Sequence, residues 1–144
     1  MDCLVDTNAV IHSVMPSDPK YAATQKALTT MMGRGDRLYI TPQILVEFRY
    51  VATRPTTKNG LGQTVAWAQV QTAGLKVLFD FLPEEPEIFD EWEKLVDTHS
   101  VTGVNVFDAR LVAVMIAYGI THILTFNGKD FAYPGITAVD PNSV

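Results

Sequence analysis

Short runs of apolar residues alternate along the chain with longer stretches of helical periodicity. The short runs predict strands at residues 3–5, 38–40, 77–82, 122–125 and 137–139. Capping residues, prolines and glycines bound the helical stretches, which begin after residues 6–8 and then cover roughly 19–32, 42–53, 63–73, 85–99 and 107–118. Strands that alternate with helices predict an α/β fold, in which helices cover both faces of a parallel sheet.

Length and composition limit the kind of protein this is. The chain has 144 residues, 47 % of them hydrophobic, and a net charge of −5. We expect one domain over residues 1–144 and no general basic field for nucleic acid, although a metal ion or a local basic patch would still bring RNA to it. No apolar run approaches the ~20 residues of a membrane span, and no secretory signal is present. We therefore expect a soluble, cytoplasmic protein with no membrane partner, whose single cysteine, Cys3, is a buried thiol.

Polar side chains follow two of the predicted strands. Asp6 comes directly after the first strand, and Asn127 and Asp130 follow the strand at 122–125. Ligands of parallel sheets bind beyond the carboxyl ends of the strands, so these positions are candidates for chemistry. Helix capping by Asp6 and an ordinary turn at Asp130 are the alternative interpretations.

Two further carboxylates stand on apolar stripes of predicted helices. Glu47 lies between Ile44 and Phe48, and Asp108 precedes Leu111. A carboxylate facing a core is costly unless it is paired, hydrogen-bonded, protonated or bound to a cation. Stabilisation by the helix dipole is the alternative for Asp108. For Glu47 the alternative is an arginine partner, available at Arg49, Arg54 and Arg110.

The four carboxylates together indicate a metal site. Acids from two strand ends and two helices can converge on one crevice, where they would repel one another unless a cation lay between them. Oxygen ligands without histidine or cysteine favour Mg²⁺ or Mn²⁺ over zinc. Other chemistries lack their motifs, because the sequence contains no phosphate-binding glycine loop, no Gly-x-Ser-x-Gly nucleophile elbow and no zinc-ligand spacing.

The order of these motifs over almost the whole chain resembles the PIN domain, in particular the VapC-type toxins of bacterial toxin–antitoxin operons. The matching segments are Leu4-Val5-Asp6-Thr7-Asn8, Glu47 early in a helix, Asp108-Ala109-x-Leu-Val-Ala, and Leu124-Thr125-x-Asn127-x-x-Asp130-Phe131. The resemblance implies a three-layer α/β/α sandwich around a parallel sheet. It also implies endoribonuclease activity that depends on Mg²⁺ or Mn²⁺ and leaves a 5′-phosphate and a 3′-hydroxyl.

Carried over by position, the resemblance assigns roles to individual residues. Asp6, Glu47 and Asp108 would bind the metal, with Asp130 as a fourth catalytic acid. Thr7, Asn8, Thr125 and Asn127 would be supporting polar groups. Many relatives have an acid where this chain has Asn127, so a weak or absent second metal site is an expectation specific to this sequence.

The chain also needs groups that hold RNA. The candidates are Arg49, Arg54, Lys58 and Lys129, for which a solvated loop is the alternative interpretation. By resemblance we expect a homodimer and a cognate antitoxin that silences the toxin with a segment near the acids. A lysine or arginine from such a segment would replace the charge of the metal.

Other functions remain open at this stage. A PIN-fold binding module without activity is supported by the neutral Asn127, and a metal-dependent phosphatase would use the same acids. A receiver-like domain is disfavoured, because Asp80 lies within its predicted strand and no lysine occupies the expected late position.

Overall fold

A computed structural model describes all 144 residues and shows five parallel strands in one sheet. The strands are β1 (Asp2–Val5), β2 (Arg37–Ile40), β3 (Asp80–Phe81), β4 (His122–Leu124) and β5 (Thr137–Val139). Six helices alternate with them: α1 (Thr7–Ser13), α2 (Tyr21–Gly33), α3 (Pro42–Thr53), α4 (Val65–Leu78), α5 (Glu87–Thr98) and α6 (Asn105–Tyr118). The predicted α/β fold is confirmed as a three-layer α/β/α sandwich.

The strand order places the end of β1 at the centre of the sheet. The sheet runs β3-β2-β1-β4-β5, so the chain first builds outward from β1 on one side and then crosses over to build on the other. The direction of winding reverses between β1 and β4. The connections that follow two parallel strands diverge at such a reversal, and the crevice between them is where ligands bind in open α/β sheets.

Local sequence explains why the helices begin where they do. The Thr41 side chain accepts a hydrogen bond from Ile44 N, and Pro42 occupies the first helical position of α3. Thr64 caps α4 in the same way by accepting from Trp67 N. These caps fix the start of each helix relative to the sheet, and in α3 they determine the position of Glu47 along the helix axis.

The predicted strand at residues 77–82 is wrong over its first part. The helix α4 continues through Leu78, and Phe79 N still donates to the carbonyl of Leu75 at 3.0 Å. Only Asp80–Phe81 pairs with β2, at the edge of the sheet. The apolar residues at 77–82 predicted a buried strand, but Val77 is 89 % exposed on the surface of α4.

Twenty-nine buried apolar side chains form one continuous cluster around the central strands. Leu4 and Val5 of β1 are fully buried in it, as is Cys3, whose prediction as a buried thiol is confirmed. Burial raises the pKa of the Cys3 thiol to about 12, which keeps it protonated and inert. None of the helices combines the length and the apolar character of a membrane span.

The loop after α3 folds back along the last turn of that helix. Leu61 N and Gln63 N donate to the carbonyls of Val51 and Ala52, at 2.9 and 2.8 Å. Gly60 lies so close to the carbonyl of Arg54 that a Cβ atom there would overlap it. The close approach therefore requires glycine at this position.

Gly60→Ala should destabilise the protein by roughly 1–3 kcal/mol, because the overlap is with backbone that cannot rotate away. Gly74→Ala is the matched control. Gly74 is in the interior of α4 with open space where a Cβ atom would lie, so alanine should stabilise by roughly 0.5–1 kcal/mol. Urea unfolding of the three proteins measures both changes. Equal stability of the two variants would contradict the assignment of Gly60.

Candidate metal and active site

Asp6 lies at the junction of β1 and α1 with both carboxylate oxygens engaged. Its Oδ1 accepts from Thr7 N at 2.7 Å, so Asp6 does cap α1, as the alternative interpretation required. Its Oδ2 accepts from Asn8 Nδ2 at 2.9 Å and from Thr125 Oγ1 at 2.7 Å. Helix capping therefore accounts for the contact of Oδ1 only. Oδ2 is bound by a second set of donors, one from α1 and one from the end of β4.

Asn8 and Thr125 join the ends of β1 and β4. Asn8 Nδ2 also lies 3.1 Å from Thr125 Oγ1, and Asn8 Oδ1 accepts from Phe126 N at 3.2 Å. Thr125 Oγ1 in turn accepts from Asn127 N at 3.0 Å. These contacts fix the orientation of Asp6 and of the chain that follows β4, which is a positioning role.

Glu47 reaches the same crevice from the second turn of α3. Its Oε2 accepts from Thr7 Oγ1 at 2.6 Å, and its Oε1 accepts from Gln43 Nε2 at 2.8 Å. None of the three candidate arginines pairs with it. Arg49 donates to Thr72 and Arg54 to the carbonyl of Asn59. Arg110 binds Glu84 and the side-chain oxygen of Gln43. Glu47 thus lies beside Thr7 with no cationic side chain paired to it.

The first turn of α6 presents Asp108 to the crevice and is held by its neighbours. Trp92 Nε1 of α5 donates to the carbonyl of Val106 at 2.7 Å, and Gln43 Nε2 donates to the carbonyl of Phe107 at 2.8 Å. No side chain caps this helix. The carboxylate of Asp108 makes no hydrogen bond or ion pair, and its first-turn position leaves only the helix dipole to stabilise it.

Asp130 completes the group from a 3₁₀ turn, Gly128–Phe131, that follows β4. Its backbone N–H donates to the carbonyl of Asn127 at 3.0 Å, so it is also a turn residue. Its carboxylate has no ion-pair partner and raises the pKa of both Asp6 and Asp108 by repulsion. The structure therefore brings all four predicted acids to one region, while the side chain of Asn127 is exposed at its edge.

The electrostatics of the group are those of unneutralised acids. Burial raises the pKa of Asp6 to about 6, in spite of the hydrogen bonds from Thr125 and Thr7, and repulsion by Glu47 and Asp130 adds to the rise. Burial and then repulsion by Asp6, Asp130 and Glu47 raise the pKa of Asp108 to about 7. Ionisation of Asp6 and Asp108 is thus disfavoured by burial and by the neighbouring acids together.

The donor set fits a hard divalent cation. It consists of carboxylate and hydroxyl oxygens without histidine or cysteine, which is the ligand chemistry of Mg²⁺ and Mn²⁺. No three acidic, histidine or cysteine side chains form a closely spaced, ready-made cage. A cation bound beside Asp108 would offset the repulsion between it and the neighbouring acids.

Two cavities are lined in part by the acids, and the rest of their linings differ. The first, which we call the apolar groove, has a volume of about 430 Å³. It is lined by Glu47 and Asp108 together with mainly apolar side chains, five of its eight residues being hydrophobic. The second, which we call the polar cleft, has a volume of about 380 Å³ and contains Asp130. Only three of its nine lining residues are hydrophobic. The acids therefore separate an apolar surface from a polar one.

The predicted RNA contacts lie in different surroundings. Arg49 Nε donates to Thr72 Oγ1 of α4 at 2.8 Å, so this arginine is engaged on the α4 side of α3. Arg54 donates to the carbonyl of Asn59 and stacks on Tyr50, a residue of the apolar groove. Lys58 is exposed on the loop, and Lys129 lines the polar cleft beside Asp130.

Two residues of the site were missed from the sequence. Gln43 orients Glu47 and ties α3 to α6, and its position four residues before Glu47 on the same helix could have indicated it. Tyr133 lies near Asp108. Burial, and then the charge of Asp108, raise the pKa of the Tyr133 hydroxyl. No local sequence pattern indicates Tyr133, since only the tertiary structure brings the segment after the 3₁₀ turn close to α6.

The fold of the chain is similar to that of several solved structures. The chain is similar to VapBC-1 from nontypeable Haemophilus influenzae, with 17 % identity, a TM-score of 0.71 and coverage of 98 % of both chains. It is also similar to VapBC2 from Rickettsia felis, solved on promoter DNA, with 14 % identity, a TM-score of 0.69 and coverage of 96 % and 98 %. VapC20 of Mycobacterium tuberculosis, a toxin that cleaves the sarcin-ricin loop, shows 15 % identity, a TM-score of 0.68 and coverage of 90 % and 93 %.

At such identities these similarities establish the fold alone. No curated protein matches the chain in sequence. The family model of the PIN domain matches residues 3–135, a span that contains Asp6, Glu47, Asp108 and Asp130. With the parallel sheet and the acids at its reversal, this match shows that the chain belongs to the PIN domain family.

Proposed function

We propose that the protein is a metal-dependent endoribonuclease. The observation that carries the proposal is the half-buried carboxylate of Asp108, which has no hydrogen-bond or ion-pair partner and faces the charges of Asp6, Glu47 and Asp130. A structural acid in such a place would have a donor or a cation beside it. A cation that binds beside Asp108 during function would explain why the chain has an unpaired carboxylate at this position.

Within this proposal Asp6, Glu47 and Asp108 would hold Mg²⁺ or Mn²⁺, and Asp130 would be the fourth acid. The cation would supply charge to offset that of the phosphodiester and would acidify a water. Thr125 and Asn8 hold Asp6, while Thr7 and Gln43 hold Glu47, so that both carboxylates are oriented before substrate arrives. The proposed products are a 5′-phosphate and a 3′-hydroxyl.

We further propose that the protein is the toxin of a VapBC-type pair. Support comes from the similar solved structures, which include VapBC complexes. The apolar groove gives physical support, because Val46, Tyr50, Val104 and Phe107 are between 58 % and 74 % exposed around Glu47 and Asp108. An antitoxin segment with apolar side chains would bury this surface and bring a cation to the acids. A homodimer and a cytoplasmic location are part of the same proposal.

A PIN-fold binding module without activity is the second candidate. The observation in its favour is the exposed, neutral side chain of Asn127 where an acid would strengthen a second metal site. A phosphatase that uses the same acids is the third. Hydrolysis of small phosphomonoesters, without cleavage of RNA, would distinguish the phosphatase from both.

Cleavage of pooled tRNA and rRNA in Mn²⁺ or Mg²⁺ tests the activity. We expect discrete fragments that disappear with EDTA, and a rate at least ~100-fold lower in Asp6→Asn and Asp108→Asn, which each remove a charge from the site. The control is Asp97→Asn, which removes an exposed carboxylate from α5 and should cleave RNA at the wild-type rate. If the Asp108→Asn protein is folded and cuts as fast as the wild type, the catalytic role of the acids is wrong.

Asp108→Asn should stabilise the metal-free protein by roughly 1–3 kcal/mol at pH 8, because it removes repulsion from a half-buried group that solvent still partly screens. Added Mn²⁺ should raise the melting temperature of the wild type and leave that of the variant nearly unchanged. Thermal unfolding with and without Mn²⁺ measures both. A large fall in melting temperature for the variant would instead indicate a structural ion pair.

The stability of the metal-free protein should fall as pH rises from about 4 to about 7. In that range the folded protein keeps protons on Asp6 and Asp108, whose pKa values are raised to about 6 and about 7, whereas the unfolded chain releases them near 3.8. Urea unfolding across this range measures the slope, which should be shallower in Asp108→Asn. A stability that rises through the same range in EDTA would contradict the raised pKa values.

A further inference from the structure

The polar cleft has features that the assignment of the acids does not use. It has a volume of about 380 Å³, within the ~300–1,000 Å³ range of small-molecule sites. Its walls are the loop between α5 and α6 and the segment around the 3₁₀ turn Gly128–Phe131. Side chains able to bind a nucleotide line it: His99, Ser100, Thr102, Asn105, Lys129 and Tyr133.

Hydrogen bonds and helix geometry place this cleft directly beside the acids. From Asp6, contacts lead through Thr125 Oγ1 to Asn127 N and from the carbonyl of Asn127 to Asp130 N, and Asp130 lines the cleft. On the opposite wall Asn105 precedes Asp108 by three residues, so both lie on one face of α6. A group bound in the cleft is therefore adjacent to a phosphodiester held at the acids.

The cleft offers both an aromatic surface and a cation. The rings of His99 and Tyr133 lie edge to face, with centroids 5.2 Å apart and planes at 85°. Tyr133 packs partly against the core, while the side chain of His99 is exposed on the cleft. Lys129 is exposed on the same cleft and forms no ion pair. A stacking surface beside a cation is the usual arrangement for an unpaired nucleotide.

We propose that the polar cleft binds one unpaired nucleotide of single-stranded RNA next to the cleaved phosphate, with the base stacked on His99, whose ring Tyr133 contacts edge to face, and a neighbouring phosphate on Lys129. This inference rests on the proposed ribonuclease function and assigns to it a base-binding subsite in the polar cleft. A base reaches the cleft only when it is turned out of a helix, so loops and single strands are substrates and continuous duplex is not. His99 and Lys129 act in substrate binding, and Tyr133 positions the ring of His99.

Binding and cleavage of a fluorescein-labelled single-stranded RNA of mixed sequence test the inference. Binding is measured by fluorescence anisotropy in the Asp108→Asn background, which keeps the RNA intact, and cleavage is measured with Asp108 present. The single changes are His99→Ala, His99→Phe and Lys129→Ala. The matched controls are His122→Ala and Lys94→Ala, at the start of β4 and on the surface of α5, away from the cleft.

Loss of one stacked base should raise Kd about fivefold or more in His99→Ala, whereas His99→Phe keeps an aromatic surface and should bind within about twofold of its parent. Lys129→Ala should weaken binding severalfold and reduce its dependence on salt. In the cleaving protein, His99→Ala should raise KM more than it lowers kcat. A fully paired duplex of the same sequence should bind and be cut at least about tenfold less well.

The inference is overturned if His99→Ala and Lys129→Ala bind and cut like the two controls, or if His99→Phe loses as much affinity as His99→Ala. Equal cleavage of duplex and single strand overturns the substrate form. Failure of the proposed function gives a different result, in which the unmodified protein cuts no RNA in Mn²⁺ or cuts it as fast after Asp108→Asn. Circular dichroism of each variant shows that the comparison is between folded proteins.

Discussion

The rest of the site depends on the hydrogen bond from Thr125 Oγ1 to Asp6 Oδ2, 2.7 Å long, which joins the ends of β1 and β4. The chain leaves these two strands in different directions, because the winding of the sheet reverses between them. Asn8 supports the same junction from the other side. The crevice is thereby held open by polar contacts rather than filled by apolar side chains, which leaves room for a charged ligand.

Burial of the acids, together with repulsion between them, is the cost of this arrangement. Asp6 has donors on both oxygens and still has a raised pKa, and Asp108 has none and its pKa is raised further. Around them the protein is firmly built, with Trp92 and Gln43 holding the turn that carries Asp108. Rigid support for an unneutralised carboxylate is characteristic of a functional site, where stability is given up for chemistry.

The two grooves beside the acids divide the surface by its chemistry. The proposed occupant of the apolar one, around Val46 and Phe107, is a protein segment, and that of the polar one, around His99 and Lys129, is a nucleotide. Because the acids lie between them, a segment seated in the apolar groove could reach the acids without first filling the polar cleft. Inhibition and substrate binding would then compete for the charge of the acids rather than for one pocket.

The alternation of strands and helices determined the α/β fold, and the rule of parallel sheets then indicated one edge of the sheet for Asp6, Asn127 and Asp130. Glu47 and Asp108 were recognisable as acids on apolar stripes, because helical periodicity is local. Only the tertiary structure decided that β1 lies between β2 and β4, that α4 continues through Leu78, and that Gln43 rather than an arginine holds Glu47. Those outcomes depend on contacts between segments distant in the chain, and the lack of a partner for Asp108 likewise depends on which side chains the fold brings near it.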